Sequence, residues 1–524
     1  MPRLQRRFGY ERDILVTVAY IFREVRLSKL LALLICLASC LIARPLILLC
    51  GETPSRAEVQ WDKVVRVSRT SVSIQDCPEP PLRRGRPTHD PIYKALRDLH
   101  ADYARLQPWF CYPRMVVAEL KPPENGKTYW DFSLMDEYTE DFMQATAGHQ
   151  VVFDFGTIPE WMFKTRAPVT YPEDPDQIDW NYEQGTELRD PTLKEVADYQ
   201  ARLVRWYTQG GFNDELGKWH ASGHHYKIEY WEILNESDNE HHMSPALYTR
   251  LYDAVVEQVR QVSPQMKFIG LALANPVGGP QYFQYFLDPK HHKPGIPIDM
   301  ISYHFYSMPD SDETPETMQY TIFAQADKFL TAVGYIESIR KRLSPGTGTC
   351  INELGSMLPD PQAPQFAHPI PDSYWNLAGA MWACTYARLT AMGIDVVGGA
   401  ELIDYPGQFA STSLLNWETG QPNARYRVLK LLRENFSPGD KLVETRLESP
   451  CVFAQAFATA QGARKILLVN KRDRSIELSI PGAAGGTAEV VDQTTGSSLP
   501  ATTSLAADGV PLNGLTVAVV TLRK

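Results

Sequence analysis

Short apolar runs alternate with segments of helical periodicity from about residue 90 to residue 437. The apolar runs predict strands, and the segments between them predict helices, for example where Leu247, Leu251, Val255 and Val259 recur at helical spacing. Seven strand-then-helix steps with nearly continuous apolar strands predict a parallel sheet covered by helices. This number of steps over roughly 350 residues favours an α/β fold of the (β/α)8 TIM barrel type. The predicted strands are 103–107, 150–155, 228–234, 268–274, 299–305, 349–352 and 394–398.

The pattern changes after Pro438-Gly439, where short strand-like runs are separated by turns rich in Gly, Pro, Asn and Thr. Such a pattern predicts a C-terminal all-β sandwich domain. The first barrel strand is harder to place, because 64–72 suits either the barrel or the sandwich. The predicted organisation is therefore an N-terminal segment at 51–89, the barrel at 90–437 and the sandwich at 438–524.

The first 50 residues differ from the rest, with a basic start followed by an uncharged, mostly apolar run over 30–43. Arg44-Pro45 interrupts this run, which resumes at 46–50. The pattern predicts an export signal, and a retained membrane anchor is the alternative. Leu37-Ala38-Ser39-Cys40 also resembles a bacterial lipoprotein cleavage box. We therefore expect an exported protein that is secreted, periplasmic or attached to a membrane through this segment.

Charge and composition exclude some classes of binding partner and favour others. The net charge is −10 and no basic stripe follows the N-terminal segment, so no nucleic acid partner is expected. The five cysteines after residue 50 are widely spaced without a CxxC pair, and adjacent histidines such as His241-His242 usually diverge. Neither pattern predicts a metal site. The 11 Trp and 25 Tyr suit a poly- or oligosaccharide partner, because apolar ring faces stack on sugars. The oligomeric state stays open.

Two glutamates carry the clearest chemical signal. Glu236 and Glu353 each follow an asparagine, and each ends an apolar strand-like run. The carboxyl ends of parallel barrel strands face one pocket. Cleavage of a glycosidic bond requires two carboxyl groups in such a pocket. Further polar residues stand at predicted strand ends, namely Arg105, Asp154, Asn235, His304, Tyr306 and Glu401.

The motifs around these glutamates resemble those of clan A glycoside hydrolases. Trp231-Glu232-Ile233-Leu234-Asn235-Glu236 is similar to the motif of the fourth strand, and Ile351-Asn352-Glu353 to that of the seventh. The nearest resemblance is to glycoside hydrolase family 39, which includes β-xylosidases and α-L-iduronidases. It extends to three further stretches: Trp130-Asp131-Phe132, Pro159-Glu160-Trp161-Met162 and Ser302-Tyr303-His304-Phe305-Tyr306. The resemblance covers roughly residues 90 to 440 and continues into the terminal sandwich.

The resemblance implies a retaining reaction with Glu236 as the acid/base, Glu353 as the nucleophile and no cofactor. It also implies that Asn235 binds the sugar 2-hydroxyl and that His304 and Tyr306 line the pocket.

Three residues keep two interpretations each. Arg105 resembles the site arginine of the clan or forms a structural ion pair. Trp161 is a stacking platform or a loop anchor. Glu401 stands where many clan members have an aromatic residue, and either faces a sugar hydroxyl or is a loop carboxylate.

We therefore expect a retaining glycosidase that acts on an extracellular or envelope poly- or oligosaccharide by double displacement. Two alternatives use the same scaffold: a non-catalytic carbohydrate-binding barrel, and a transglycosylase with the same carboxylates. The sequence leaves the identity of the sugar open, and also whether cleavage is exo or endo.

Overall fold

The structure is a computed structural model that describes residues 55–179, 185–359, 370–404 and 406–523. The predicted export signal or anchor at residues 1–50 lies outside these ranges. Within them, no helix has both the length and the apolar character that a membrane-spanning helix needs.

The strands are named here in chain order. They are β1 (Ser55–Val67), β2 (Ser71–Asp76), β3 (Tyr103–Leu106), β4 (Gln150–Phe153), β5 (Gly211–Asn213), β6 (Trp219–Ala221), β7 (Tyr230–Glu232), β8 (Lys267–Leu273), β9 (Met300–Ser307), β10 (Gly348–Ser356), β11 (Val396–Gly399), β12 (Lys441–Leu447), β13 (Val452–Ala458), β14 (Arg464–Asn470), β15 (Ile476–Ser479), β16 (Thr487–Val491), β17 (Ala501–Ser504), β18 (Gly509–Leu512) and β19 (Val517–Thr521).

The α-helices follow the same convention. They are α1 (His89–Leu99), α2 (Pro113–Val116), α3 (Ser133–Ala145), α4 (Lys194–Gln209), α5 (Pro245–Val262), α6 (Pro280–Phe286), α7 (Pro315–Leu343), α8 (Asp372–Met392) and α9 (Ala424–Asn435).

Eight parallel strands close into a barrel in the order β2, β3, β4, β7, β8, β9, β10, β11. The ring closes where β11 pairs with β2, with Val396 opposite Ser71. Helices follow most of the strands, as the sequence predicted. The predicted (β/α)8 barrel is therefore confirmed.

The first barrel strand is β2, which lies in the N-terminal segment 51–89, so the barrel begins before the predicted bound at residue 90. The ambiguous stretch 64–72 is divided between the domains. Val64 to Val67 end β1, which pairs antiparallel with β12 of the other sheet, whereas Val72 is buried in β2. Serine at positions 71 and 73 dilutes the apolar signal of β2, although Val72 and Ile74 pack in the main core.

Nine further strands form one curled sheet in the order β17, β16, β19, β14, β13, β12, β1, β15, β18, and β5 and β6 form a separate two-stranded sheet. Alternate residues of β14 face different cores, as the period of two in a strand requires. Ile466 and Leu468 pack inside this domain, and Leu467 and Val469 pack in the cluster that contains the barrel helices. The predicted C-terminal all-β domain is confirmed, with β1 as an additional N-terminal strand.

Local sequence signals explain where the helices begin. The Ser244 hydroxyl accepts a hydrogen bond from the Leu247 amide at 3.2 Å, and Asn423 caps α9 in the same way. Asp190-Pro191 is typical of a helix start, but the helix α4 begins only at Lys194. Leu193 has φ of +67°, which is incompatible with an α-helical turn, so Asp190 caps the amides of Thr192 and Glu195 ahead of the helix.

The lower interior of the barrel is apolar. Six strands each contribute one side chain to this layer: Val152, Tyr230, Ile269, Met300, Cys350 and Val396. Two residues further toward the carboxyl ends of the strands, the side chains in the barrel interior are polar, as at Arg105, Asp154 and Glu232. The charged side chains of the site therefore lie directly above an apolar layer in the barrel interior.

Candidate active site

A pocket opens at the carboxyl ends of the barrel strands. It contains about 470 Å³ of space, including its open mouth. Of the predicted site residues, five line it: Asn235, Glu236, Tyr306, Glu353 and, from the loop after β11, Glu401.

Arg105 organises the base of this pocket. Its side chain is 1% exposed and forms ion pairs with three buried carboxylates, at 2.6 Å to Asp154, 2.6 Å to Glu232 and 2.8 Å to Glu353. It also donates to Asn235 Oδ1 at 3.1 Å. Arg105 therefore combines both predicted interpretations, since it is a buried ion-pair centre that contacts one of the two key glutamates.

Glu353 projects from β10 into the pocket because of an irregularity in the strand. The pairing of β10 with β9 shifts register between Cys350 and Glu353. As a result two consecutive side chains face the interior: Asn352 donates to Glu232 at 2.8 Å, while Glu353 accepts from Arg105. A regular strand would point one of them away.

The environment of Glu353 stabilises its ionised form. Burial alone would raise the pKa of Glu353, but the charges of His304 and Arg105 and the hydrogen bonds from Arg105 and Tyr306 lower it below the usual value. The Tyr306 hydroxyl donates to Glu353 Oε2 at 2.9 Å. Glu353 is therefore a carboxylate held ready at the floor of the pocket.

His304 lies between the two glutamates. Its Nδ1 is 2.8 Å from Glu236 Oε1 and 3.3 Å from Glu353 Oε2. One carboxylate oxygen of each glutamate and the imidazole nitrogen all lie within 4.8 Å of one another. Burial would lower the pKa of His304, yet the charge of Glu353 and the hydrogen bond to Glu236 raise it above the usual value. His304 therefore contacts both carboxylates and offsets the electrostatic repulsion between them.

Glu236 is held by an unusual backbone. Leu234 has φ of +60° and Glu236 has φ of +39°, both in the left-handed region that non-glycine residues rarely adopt. The Glu236 amide donates to the Ala272 carbonyl oxygen at 3.0 Å, and Ala272 also has a positive φ of +42°. Such conformations cost free energy and persist where the surrounding structure enforces them. They turn the Glu236 side chain into the pocket, where it is 19% exposed.

Asn235 is fixed by a residue that the sequence analysis did not identify. Its amide nitrogen donates to Glu240 Oε1 at 2.9 Å, and the Trp109 indole N–H donates to the same oxygen at 2.7 Å. Burial, followed by the charge of Glu236, raises the pKa of Glu240 well above its usual value. Trp109 itself lines the pocket. Neither residue stands at a predicted strand end, so the strand-end criterion could not find them.

Glu401 belongs to a group of buried acids on the side of the pocket next to β11. Asp404 also lines the pocket, and oxygen atoms of Glu79, Glu401 and Asp404 lie within 4.8 Å of one another. Burial, then the charge of Asp404, raises the pKa of Glu401 well above its usual value. The predicted loop carboxylate is therefore buried at 7% exposure and faces the pocket.

Trp161 has the contacts of a loop anchor. It is buried, its indole N–H donates to the Glu119 carbonyl oxygen at 2.7 Å, and the Arg189 guanidinium lies 4.4 Å from its ring centroid. It does not line the pocket described here, so these contacts favour the loop-anchor interpretation, and stacking of Trp161 on a substrate stays a prediction. Trp109 and Phe409 are the aromatic residues that flank the acids instead.

Solved structures resemble this chain in fold, although no protein-family model and no curated protein matches its sequence. A GH51 arabinofuranosidase from Xanthomonas axonopodis pv. citri is 11% identical, with a TM-score of 0.61 and coverage of 90% of this chain and 100% of that one. The GH51 α-L-arabinofuranosidase from Thermotoga petrophila RKU-1 is 16% identical, with a TM-score of 0.58 and the same coverage.

A third neighbour is a GH30 endoxylanase from Clostridium papyrosolvens C71, 12% identical with a TM-score of 0.54, again over 90% of this chain and 100% of that one. This chain therefore shares the fold of these three solved structures. At these identities the likeness concerns the fold, and the two domains, barrel and β-sandwich, are both included in the matched length.

Proposed function

We propose that this protein is a retaining glycosidase of the family 39 type that cleaves O-glycosidic bonds by double displacement. The observation that carries the proposal is the pairing of Glu236 and Glu353 across His304, with one oxygen of each within 4.8 Å. Retaining enzymes hold their two carboxyl groups about 5–5.5 Å apart, whereas inverting enzymes leave roughly 6.5–9.5 Å for a water molecule. The short separation favours attack by a carboxylate over attack by water.

Glu353 is the nucleophile in this proposal. It attacks the anomeric carbon and forms a covalent glycosyl ester while the bond to the leaving oxygen breaks. The pairing with Arg105 and His304 keeps it ionised, and the Tyr306 hydroxyl fixes its second oxygen. The hydrogen bonds from Arg105 and Tyr306 and the contact with His304 also orient the carboxylate before substrate binds, so little reorganisation is needed during the reaction.

Glu236 is the acid/base. It gives its proton to the leaving oxygen in the first step, and as a carboxylate it then takes a proton from the water that hydrolyses the ester. Its partial exposure suits this role, because the leaving group departs and the water enters through the mouth of the pocket. Asn235, held by Glu240 and Arg105, lies next to the acid/base and is placed to bind the 2-hydroxyl.

The substrate proposed is a poly- or oligosaccharide outside the cell or in its envelope, consistent with the export signal predicted at 1–50. The neighbours in fold are named as arabinofuranosidases and an endoxylanase, which makes pentose-containing glycans the first class to test. The aromatic side chains of Trp109 and Phe409 beside the pocket provide apolar faces that suit a sugar ring.

The test is a screen of 4-nitrophenyl glycosides and polysaccharides by release of reducing ends, followed by NMR of the first-formed anomer. We expect hydrolysis with retention, and loss of turnover in both Glu236→Gln and Glu353→Gln. Glu257→Gln, a surface carboxylate on α5, is the matched control and should keep full activity.

Three results would contradict the proposal. An inverted product would exclude the double displacement. Binding of oligosaccharide without turnover of any sugar would favour a carbohydrate-binding barrel. Transfer to an added sugar acceptor in preference to water would favour the transglycosylase.

A further inference from the structure

The acids next to β11 form a group that the double-displacement chemistry does not use. Glu401 and Asp404 line the pocket, Glu79 lies against both, and Asp76 is near enough for its charge to affect both Glu79 and Glu401. Glu79 and Asp76 are each 1% exposed. This group is called the acidic wall below, and it consists of Asp76, Glu79, Glu401 and Asp404.

The acidic wall has buried oxygen atoms without partners. Glu401 Oε1, Glu79 Oε2 and Asp76 Oδ1 are buried without a hydrogen-bond partner in the part of the chain that the structure describes. No ion pair among the described residues includes Glu79 or Glu401. A buried polar atom left unsatisfied costs free energy, and of these three residues Glu401 is the one that lines the pocket, where a ligand can supply a hydrogen bond.

The protonation of the wall follows from its burial. Burial, then the charge of Asp404, raises the pKa of Glu79 well above its usual value, and the same two causes act on Glu401. A neutral carboxyl group both donates and accepts hydrogen bonds, which matches the dual character of a sugar hydroxyl. An ionised carboxylate accepts only, and would still bind a hydroxyl but not a second carboxylate.

In the part of the chain that the structure describes, this pocket offers no lysine or arginine to receive a uronic acid. Arg105 is 1% exposed, and all three of its nitrogen atoms already donate to side chains of the site. Lys164, another cation in the barrel sequence, instead pairs with Glu187 on the surface.

We propose that Glu401, with Asp404 beside it, makes the pocket selective for a neutral sugar, whose hydroxyl groups bind these two acids, and that the acidic wall rejects a uronic acid. The proposal rests on the glycosidase function proposed above and names its substrate class. A site built to hydrogen-bond a hydroxyl discriminates strongly, because its own buried groups stay unpaired with the wrong ligand. A sugar carboxylate would in addition bring another negative charge against this group of acids.

The test compares matched substrates on the wild-type protein at pH 7. Aryl glycosides of neutral sugars, including xylose, arabinofuranose, glucose and galactose, are measured beside the aryl glucuronide and galacturonide with the same leaving group. We expect kcat/KM for the best neutral sugar to exceed that for its uronide by about 100-fold or more. The inhibition constants of the free neutral sugar and of the free uronic acid, measured on the wild-type protein, give a second comparison of the two sugar classes.

Glu401→Gln then tests the residue. It keeps the shape of the side chain, and we expect kcat/KM for the neutral glycoside to fall at least about 10-fold, mainly through KM. The preference over the uronide should shrink. Glu257→Gln should change neither value, and the thermal unfolding midpoint of each variant shows whether it is folded.

The outcomes separate this proposal from the function on which it rests. Absence of turnover on every glycoside in the screen would refute the glycosidase assignment itself, and turnover by Glu353→Gln equal to wild type would refute the role of Glu353. Turnover that depends on Glu353 but is as fast on the uronide as on the neutral sugar would refute only the selectivity. So would a Glu401→Gln variant with wild-type kinetics on both substrates. Activity that EDTA abolishes and Ca²⁺ restores would also overturn it, because the acidic wall would then hold a cation.

Discussion

The hydroxyl of Tyr306 on β9 donates a hydrogen bond of 2.9 Å to Glu353 Oε2 on β10. The bond is one cause of the lowered pKa of Glu353. Tyr306→Phe removes it and leaves the ring in place. We expect kcat to fall about 10- to 100-fold, because a hydrogen bond to a charged group contributes about 1.5–3 kcal/mol. The acid limb of the kcat/KM profile should move to higher pH, since the pKa of Glu353 rises.

Tyr303→Phe is the matched control on the same strand. Tyr303 is fully buried, and its hydroxyl is among the buried atoms without a hydrogen-bond partner in the described part of the chain. Its loss should leave kcat and the pH profile unchanged. Equal kinetic effects of the two substitutions would mean that the phenol–carboxylate contact does not act on the reaction.

Arg105 contacts three buried acids, so its removal should destabilise the whole barrel. Arg105→Met leaves Asp154, Glu232 and Glu353 buried without their shared cation. Breaking a buried ion pair costs about 3–5 kcal/mol, and we expect a loss of free energy of unfolding in this range. Chemical denaturation measures it.

Arg84→Met is the surface comparison. Arg84 pairs with Asp141 at 2.7 Å, but its side chain is 42% exposed, and such pairs contribute about 1 kcal/mol or less. A smaller loss from Arg105→Met than from Arg84→Met would contradict the placement of Arg105 as the buried centre of the site.

Asp76 should make the protein less stable as the pH rises. Burial raises the pKa of Asp76 from 3.8 to about 8. Between these two values the unfolded chain has lost the Asp76 proton while the folded protein retains it. The contribution of Asp76 is therefore fully present below pH 3.8 and is lost as the pH rises toward 8, by up to about 1.4 kcal/mol per pH unit.

Asp76→Asn removes this titration. We expect the variant to gain free energy of unfolding relative to wild type between pH 5 and pH 8, measured by denaturation at each pH. Asp312→Asn changes an exposed carboxylate and should show no such slope. A constant difference between wild type and Asp76→Asn across this range would show that Asp76 is ionised in the folded protein.

Substitution of Trp109 should lower activity, whereas substitution of Trp161 should lower stability. Trp109→Phe removes the donor to Glu240, which fixes Asn235, and we expect kcat/KM to fall about 10-fold. Trp161→Phe removes the donor to the Glu119 carbonyl far from the acids, and should lower stability by about 1 kcal/mol with kcat/KM nearly unchanged. The opposite assignment of effects would favour Trp161 as a substrate-binding residue.

The sequence predicts the fold well because barrel strands carry a strong local signal. Strand ends with Asn and Glu at 235–236 and 352–353 could be placed from the apolar runs before them. The sequence does not show whether the segment that contains β2 belongs to the barrel or to the sandwich. Serine occupies alternate positions of β2, and the burial of this strand comes entirely from tertiary packing. The strand that precedes it, β1, joins a sheet whose other members lie almost 400 residues further along the chain.

The parts of the site that could not be predicted come from relationships that periodicity does not encode. The shift of register in β10 directs both Asn352 and Glu353 inward, against the alternation expected of a strand. Glu79 and Asp404 lie in segments without regular strand structure, and only the closed ring brings them to Glu401. Trp161 stands in a motif that resembles the family, yet its side chain packs away from the pocket.

The central claim is that Glu353 attacks the anomeric carbon while Glu236 supplies and removes the proton. It is tested most directly with a 2-deoxy-2-fluoro glycoside of the sugar found in the screen, by mass spectrometry of the intact and the digested protein. The account predicts one covalent glycosyl adduct per chain, located on Glu353 and absent from Glu353→Gln. An adduct on any other residue, or none while the compound is turned over with inversion, would contradict it.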